Sequence, residues 1–139
     1  MGGAIPGAVT AKRLHPNKKI VALCGDGAFM MSIQGLVTAV DLKLPIVIIV
    51  WDDDHYGLIK WKQEAAYGKS SHVDLINPDL VKLSQAFGCH SERINNTEDT
   101  RAVLERAFQI TDKPSVIIVP IDYSENMKLT KHLGEIVAH

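Results

Sequence analysis

Short apolar runs rich in β-branched residues alternate along this sequence with longer segments of helical periodicity. Three runs are of this kind, residues 19–24, 45–51 and 115–120, and residues 89–94 are a weaker candidate for a fourth strand. Runs that are nearly continuous in hydrophobicity and bounded by turn residues are typical of parallel strands covered on both faces. Helical patterns lie between them, over residues 28–42, 78–87 and 97–111. This alternation predicts βαβ units and a three-layer, doubly wound α/β domain with a parallel sheet.

Two of the predicted helices begin at capping residues. Asn77 precedes Pro78, which predicts a helix capped by Asn77 with proline at its first position. Thr97 is followed by Glu98 and Asp99, so a cap and two acids are expected in the first turn of the next helix.

The chain opens on a helical pattern that no strand precedes. A helix is predicted over residues 4–14, with Pro6 in its first turn. A doubly wound domain ordinarily places a strand before its first helix. We therefore expect residues 1–139 to be a single domain that lacks its first strand because it is a fragment of a longer protein.

Charge and cysteine content exclude several functions. Fifteen basic and sixteen acidic residues leave a net charge of −1, so no overall positive field attracts nucleic acid or an anionic membrane. The longest strongly apolar run, residues 45–51, is too short to span a bilayer. Cys24 and Cys89 form no CxxC motif, and Cys24 ends an apolar run, which indicates a buried thiol in a reducing compartment. A cytoplasmic protein is expected.

Acidic turns follow the first two predicted strands. The sequence Gly-Asp-Gly occupies residues 25–27, and Asp-Asp-Asp-His occupies residues 52–55. A right-handed crossover places both strand ends at the same edge of a parallel sheet, where ligands bind. Asp26 and Asp53 are therefore expected to converge, and two carboxylates with a loop carbonyl suit Mg²⁺ that also binds phosphate oxygens. The glycines allow backbone amides to approach a phosphate closely, next to the helix start at Ala28.

Each turn alone also fits a role without chemistry. A Gly-Asp-Gly turn after a strand is common, and three aspartates after a strand often form a solvated turn or a helix cap. Acid clusters at strand ends would also suit a non-catalytic magnesium- or phosphate-binding module of flavodoxin-like fold.

The acidic turns, however, resemble the signature of thiamine diphosphate enzymes. In that family the second turn usually ends in a pair of asparagines, whereas this chain has Asp52-Asp53. Catabolic, flavin-independent acetolactate synthases look similar here, with Trp-Asn-Asp at that turn. Residues 1–8 are similar to the family's Met-Gly-x-x-x-Pro-x-Ala helix, and residues 121–126 to its Val-Asp-Tyr-Ser-x-Asn. The resemblance implies the thiamine diphosphate-binding fold and the C-terminal, diphosphate-binding domain of the acetolactate synthase family.

The resemblance also implies a ligand set. Asp26 and Asp53 would bind Mg²⁺ through carboxylates, and His55 through its main-chain carbonyl, while the imidazole of His55 is expected to face solvent. Met1 falls where the family places the methionine that supports the bent cofactor. The full set of implied thiamine diphosphate contacts is Met1, Gly25, Asp26, Gly27, Ala28, Asp53, His55, Tyr56 and Gly57.

The implied activity is the joining of two pyruvates, with loss of CO₂, to give acetolactate. Another thiamine diphosphate-dependent 2-oxoacid decarboxylase remains the alternative. In the family, the glutamate that activates the cofactor lies in another domain, so this chain is expected to hold no catalytic residue and to be inactive alone. Its implied partners are the N-terminal and central domains of the parent chain and further copies, as a homodimer or tetramer. Trp61 and Tyr67 are expected on the substrate side, and residues 126–139 as a loosely docked terminal helix.

Overall fold

Four parallel strands form the sheet at the centre of this protein. The computed structural model describes residues 1–126 and 128 of the chain. The strands are β1 (Ile20–Gly25), β2 (Ile46–Asp52), β3 (His90–Arg93) and β4 (Ser115–Pro120). Their order in the sheet is β1-β2-β4-β3, and every neighbouring pair is parallel. All four sequence-predicted strands are therefore confirmed, including the weak one.

Six helices flank the sheet in the described part of the chain. They are α1 (Ala4–Leu14), α2 (Asp26–Met30), α3 (Gly35–Asp41), α4 (Gly57–Tyr67), α5 (Leu80–Ala86) and α6 (Thr100–Gln109). The first five precede β3 in the chain, and α6 connects β3 to β4. The first helix has the predicted bounds, and helices alternating with parallel strands confirm the doubly wound α/β class.

Two apolar clusters, one on each face of the sheet, form the core. The larger cluster packs α1, α2, α3 and α5 against the sheet and includes Ile5, Phe29 and Leu36, which are fully buried. The smaller cluster packs Val103 of α6 against the opposite face, where Ile117 is fully buried. These two clusters make the sheet the middle of three layers.

The first strand departs from the expectation that it is covered on both faces. Val21 and Leu23 are 46% and 58% exposed, while the alternate residues Ala22 and Cys24 are buried. Side chains alternate between the two faces of a strand, so one face of β1 is covered and the other is open. β1 lies at the edge of the sheet, and α6 packs on that face against β2 and β4 without reaching β1.

The helix predicted over residues 28–42 is wrong as a single element. The structure has two short helices, α2 and α3, separated by a turn over residues 31–34, and α2 begins at Asp26. Gly35, the first residue of α3, lies against α1: a Cβ built on it would be 2.9 Å from Cγ2 of Ile5. The break directs α3 along the packed surface of α1, a tertiary contact that local periodicity does not encode.

The capping predictions are also corrected. Asp79, not Asn77, caps α5: its side chain accepts a hydrogen bond from the Lys82 amide, and the helix begins at Leu80. The segment predicted to begin at a Thr97 cap starts as a single 3₁₀ turn, Thr97–Asp99, without a side-chain cap bond, and α6 follows it.

One helix, α4, was not predicted from the sequence. None of its residues is buried, and none belongs to either apolar cluster of the core. Within the described residues, no helix is long and apolar enough to cross a membrane. Most of the terminal helix expected over residues 126–139 lies outside the described residues.

Candidate functional site

The two acidic turns meet at the carboxyl edge of the sheet. β1 and β2 pair in parallel register, and Gly25 at the end of β1 lies opposite Trp51 of β2. Asp26 follows directly on β1, while Asp52 ends β2 and Asp53 follows it. The structure thus confirms that the strand ends carry both turns to one edge, because parallel neighbours end on the same side.

A cleft of about 520 Å³ opens at this edge. Its lining includes every residue for which the sequence predicts a role in cofactor binding: Met1, Gly25, Asp26, Gly27, Ala28, Asp53, His55, Tyr56 and Gly57. Five further residues complete the lining: Leu58, Ile59, Trp61, Tyr123 and Asn126. The volume lies in the range of small-molecule and cofactor sites. The structure therefore brings the predicted residues together, and their individual roles stay predictions.

The carboxylates of Asp26 and Asp53 both line this cleft, and their negative charges repel each other. Asp26 is buried, and its Oδ1 accepts a hydrogen bond from the Gly27 amide at 2.7 Å while its Oδ2 accepts one from the Asp54 amide at 3.0 Å. Burial, followed by repulsion from Asp26, raises the pKa of Asp53 above its usual range. Two neighbouring negative charges also attract a divalent cation, so Asp26 and Asp53 together form a suitable hard-oxygen donor pair for Mg²⁺.

The turn after β2 has an unusual backbone conformation. Asp54 has a φ of 56°, in the left-handed region that aspartate tolerates better than most residues. The next residue, His55, was expected to turn its ring to solvent, and its side chain is half-buried, at 29% exposed. Its Nε2 lies 3.1 Å from Oδ1 of Asp74, and its Nδ1 contacts the main-chain oxygen of Asp53. The imidazole therefore fastens the turn to the segment that contains Asp74.

Two glycines of the cleft, Gly27 and Gly57, lie where a side chain would collide with a neighbouring residue. A Cβ on Gly27 would lie 2.7 Å from Cε1 of Tyr56, and one on Gly57 would lie 3.0 Å from Oδ2 of Asp53. Both distances are shorter than ordinary carbon contacts, so a side chain at either position would displace a residue that lines the cleft. Glycine at position 27 therefore allows Tyr56 and Leu75 to pack directly against the turn.

Two aromatic residues form one wall of the cleft. Trp61, on α4, meets Tyr123 edge to face, with ring centroids 5.3 Å apart and an angle of 72° between the planes. Burial, then the charges of Asp53 and Asp26, raises the pKa of the Tyr123 hydroxyl. The sequence signal for Tyr123 is the motif at residues 121–126, which was used for the resemblance but not for the site. Tyr67, expected near the substrate, is 76% exposed and lies outside the cleft lining.

Comparison with known proteins identifies the family. The family model described as "Thiamine pyrophosphate enzyme, C-terminal TPP binding domain" matches residues 1–119. The chain belongs to this family. The match covers the first helix, both acidic turns and all but the end of β4, so the resemblance drawn from the motifs is confirmed.

Curated relatives point to acetolactate synthases. The chain is 38% identical over 142 aligned residues to the acetolactate synthase of Bacillus subtilis (strain 168), and 32% identical over 139 to the catabolic acetolactate synthase of Raoultella terrigena. Each alignment covers 99% of this chain and 25% of the relative. The chain thus spans about a quarter of the length of these relatives.

Solved structures support the same fold. A thiamine diphosphate-dependent 4-hydroxybenzoylformate decarboxylase from Rhodococcus jostii RHA1 superposes with a TM-score of 0.83 at 27% identity, covering 90% of this chain and 24% of that one. A benzoylformate decarboxylase from Polynucleobacter necessarius gives a TM-score of 0.78 at 29% identity, covering 86% and 23%. The likeness confirms the thiamine diphosphate-binding α/β fold.

Proposed function

We propose that this chain is the diphosphate-binding domain of a thiamine diphosphate-dependent enzyme that decarboxylates 2-oxoacids, with acetolactate synthase the preferred activity. The observation that carries the proposal is the pair of carboxylates, Asp26 and Asp53, at the ends of adjacent strands in one cleft. Family membership favours this reading over the non-catalytic, flavodoxin-like module that acidic turns alone would allow.

The residues present fit the cofactor and its metal. Asp26 and Asp53 supply two hard anionic oxygens, and the main-chain carbonyl of His55 is proposed as a third ligand. Next to this polar end, Leu58 and Ile59 add exposed apolar surface to the cleft lining. A site that is anionic at one end and apolar at the other suits a metal-bound diphosphate joined to an aromatic ring system.

This fit assigns a proposed role to each group of cleft residues. The backbone at Gly27 and Ala28 would bind the diphosphate, Asp26 and Asp53 would hold Mg²⁺, and Met1 would support the ring system of the cofactor. Thiamine diphosphate, when bound, supplies the carbanion chemistry of 2-oxoacid decarboxylation. No residue of this chain is assigned the proton transfer that activates the cofactor.

The choice of reaction rests on similarity. Acetolactate synthases are 38% and 32% identical to this chain, which favours the condensation of two pyruvates to acetolactate with release of CO₂. The structural likeness to benzoylformate decarboxylases keeps simple decarboxylation of a 2-oxoacid as the second candidate.

We further propose that the chain acts within a longer, cytoplasmic polypeptide. Relatives about four times as long contain it as one quarter of their length. N-terminal and central domains, with a second copy in a homodimer or tetramer, would then complete the site and supply the activating glutamate. Pyruvate supplied to such a complete enzyme would give acetolactate if it is a synthase and acetaldehyde if it is a decarboxylase.

Calorimetric titration tests the metal and cofactor site on the chain itself. Thiamine diphosphate binding is expected only with Mg²⁺, and Asp26→Ala should abolish it, because the diphosphate would then face Asp53 without a metal between them. Asp53→Asn should weaken binding far less, since the amide oxygen still binds the metal. Asp112→Ala is the matched control, because this exposed aspartate precedes β4 at the opposite edge of the sheet. Equal losses in Asp26→Ala and Asp53→Asn would argue against a shared metal.

A further inference from the structure

A side-chain amide lies among three of the carboxylates at this edge. The Nδ2 group of Asn77 donates to Oδ2 of Asp26 at 2.6 Å, to Oδ1 of Asp54 at 3.0 Å and to Oδ1 of Asp52 at 3.3 Å. One oxygen from each of these aspartates lies within 4.8 Å of the others. An amide nitrogen with two hydrogens is thus shared by three anionic groups, which would otherwise repel one another.

The backbone holds Asn77 in this place. The segment before it runs antiparallel to the turn after β2: the Tyr56 amide donates to the Val73 carbonyl at 2.8 Å, and the Leu75 amide donates to the Asp54 carbonyl at 2.7 Å. Val73 is buried, which anchors the segment. These backbone hydrogen bonds therefore hold Asn77 at the carboxylate of Asp26, although the two residues are 51 positions apart in the sequence.

The bonds of Asp26 define the plane of its carboxylate. Oδ2 receives two donors, the Asn77 amide and the backbone amide of Asp54, while the described partner of Oδ1 is the adjacent Gly27 amide. Oδ1 thus keeps a lone pair for a further ligand. Removal of the Asn77 donor would leave one side of the carboxylate without its shortest bond.

One of the three carboxylates around Asn77, that of Asp52, is already paired with a cation. Arg93 pairs with Oδ2 of Asp52 at 2.5 Å, and that aspartate's side chain is 9% exposed. The carboxylates of Asp26, Asp52 and Asp54 thus already have donors, from the Asn77 amide and, for Asp52, from Arg93. Asn77 carries no charge, so it relieves repulsion without cancelling the negative charge that attracts the metal.

We propose that Asn77 is a positioning residue of the metal site. It orients the Asp26 carboxylate and ties the turn after β2 to it, which directs the cation to the pair Asp26 and Asp53. The proposal rests on the proposed function, because it assumes that this pair binds Mg²⁺. Groups that orient a metal-binding carboxylate without touching the metal typically change metal affinity by about 10- to 100-fold when they are removed.

Electron paramagnetic resonance with Mn²⁺ as the probe tests this role on the 139-residue chain. Mn²⁺ is titrated with saturating thiamine diphosphate into the wild type, Asn77→Ala and Asn77→Ser, and free Mn²⁺ is counted from its signal. Both variants should bind Mn²⁺ about 10- to 100-fold more weakly. The spectrum of the bound ion should also change, because it reports on the symmetry of the ligands. Asn77→Ser keeps a polar group that is too short to reach Asp26, so it serves if the alanine variant does not fold.

Asn96→Ala is the matched control. Its side-chain amide donates to Asp99 at 3.3 Å, an exposed contact that is separate from the cleft. Wild-type Mn²⁺ affinity and an unchanged spectrum in a folded Asn77 variant would overturn the proposal and leave the proposed function standing. The same loss in Asn96→Ala would also overturn it. Absence of Mn²⁺ and thiamine diphosphate binding by the wild type would overturn the proposed function and this inference with it.

Discussion

Substitution of Gly27 by alanine probes how tightly the acidic turn packs. The new Cβ would lie 2.7 Å from Cε1 and 3.1 Å from Cδ1 of Tyr56, and 3.3 Å from Cδ1 of Leu75. Carbon atoms are most stable about 3.5 to 4.0 Å apart, so the shortest contact is about 1 Å too close. The Tyr56 ring is rigid, and Leu75 also lies close to the new Cβ. The Tyr56 ring therefore has to shift from its place in the cleft lining.

Two opposing effects set the size of the change. Overpacking of a well-packed site ordinarily destabilises by about 1 to 3 kcal/mol. Gly27 lies within α2, and replacing a helical glycine by alanine recovers about 0.5 to 1 kcal/mol. The steric effect is larger on average, so we expect Gly27→Ala to lower the free energy of unfolding by roughly 1 kcal/mol, within a range of about 0 to 2.5 kcal/mol.

Urea unfolding of Gly27→Ala beside Gly7→Ala separates the two effects. Gly7 lies on the exposed side of α1, and a Cβ there meets nothing within 4 Å. Gly7→Ala should therefore show the helical gain alone, a stabilisation of about 0.5 to 1 kcal/mol. The two variants should change stability in opposite directions at an unchanged m-value. A Gly27→Ala variant as stable as Gly7→Ala would refute the close approach between this turn and Tyr56.

Two further predictions concern the ion pair and the thiols. Arg93→Ala should lower the free energy of unfolding by about 1 kcal/mol, because it removes the cation from the Asp52 side chain, which is 9% exposed and keeps its bond to Asn77. In the same urea assay the exposed Arg101→Ala should change it by less than about 0.5 kcal/mol. Burial raises the pKa of Cys24 and Cys89 to about 11, so at pH 8 each has roughly 100-fold less thiolate than a thiol of pKa 9.0. Both should react with a disulfide reagent only as the chain unfolds, and fast reaction of the folded chain would contradict their burial.

The sequence alone determined the fold class and the positions of the two acidic turns. Apolar runs marked β1, β2 and β4, since a strand buried in a parallel sheet needs nearly continuous hydrophobicity. The polar strand β3, His90–Arg93, gave only a weak signal. The acidic turns could be placed together because topology, and not side-chain detail, brings the ends of neighbouring parallel strands to one edge. Asp26 and Asp53 were therefore predictable from their positions after two such runs.

Tertiary structure decided the features that depend on contacts between distant segments. The break between α2 and α3 follows from Gly35 packing on Ile5, and the open face of β1 follows from which helices lie over it. Asn77 reads locally as a helix cap, but backbone pairing with the turn after β2 places its amide on Asp26, 51 residues earlier. Local sequence encodes periodicity and turn chemistry, whereas the partner of a polar side chain is set by the free energy of the whole packed arrangement.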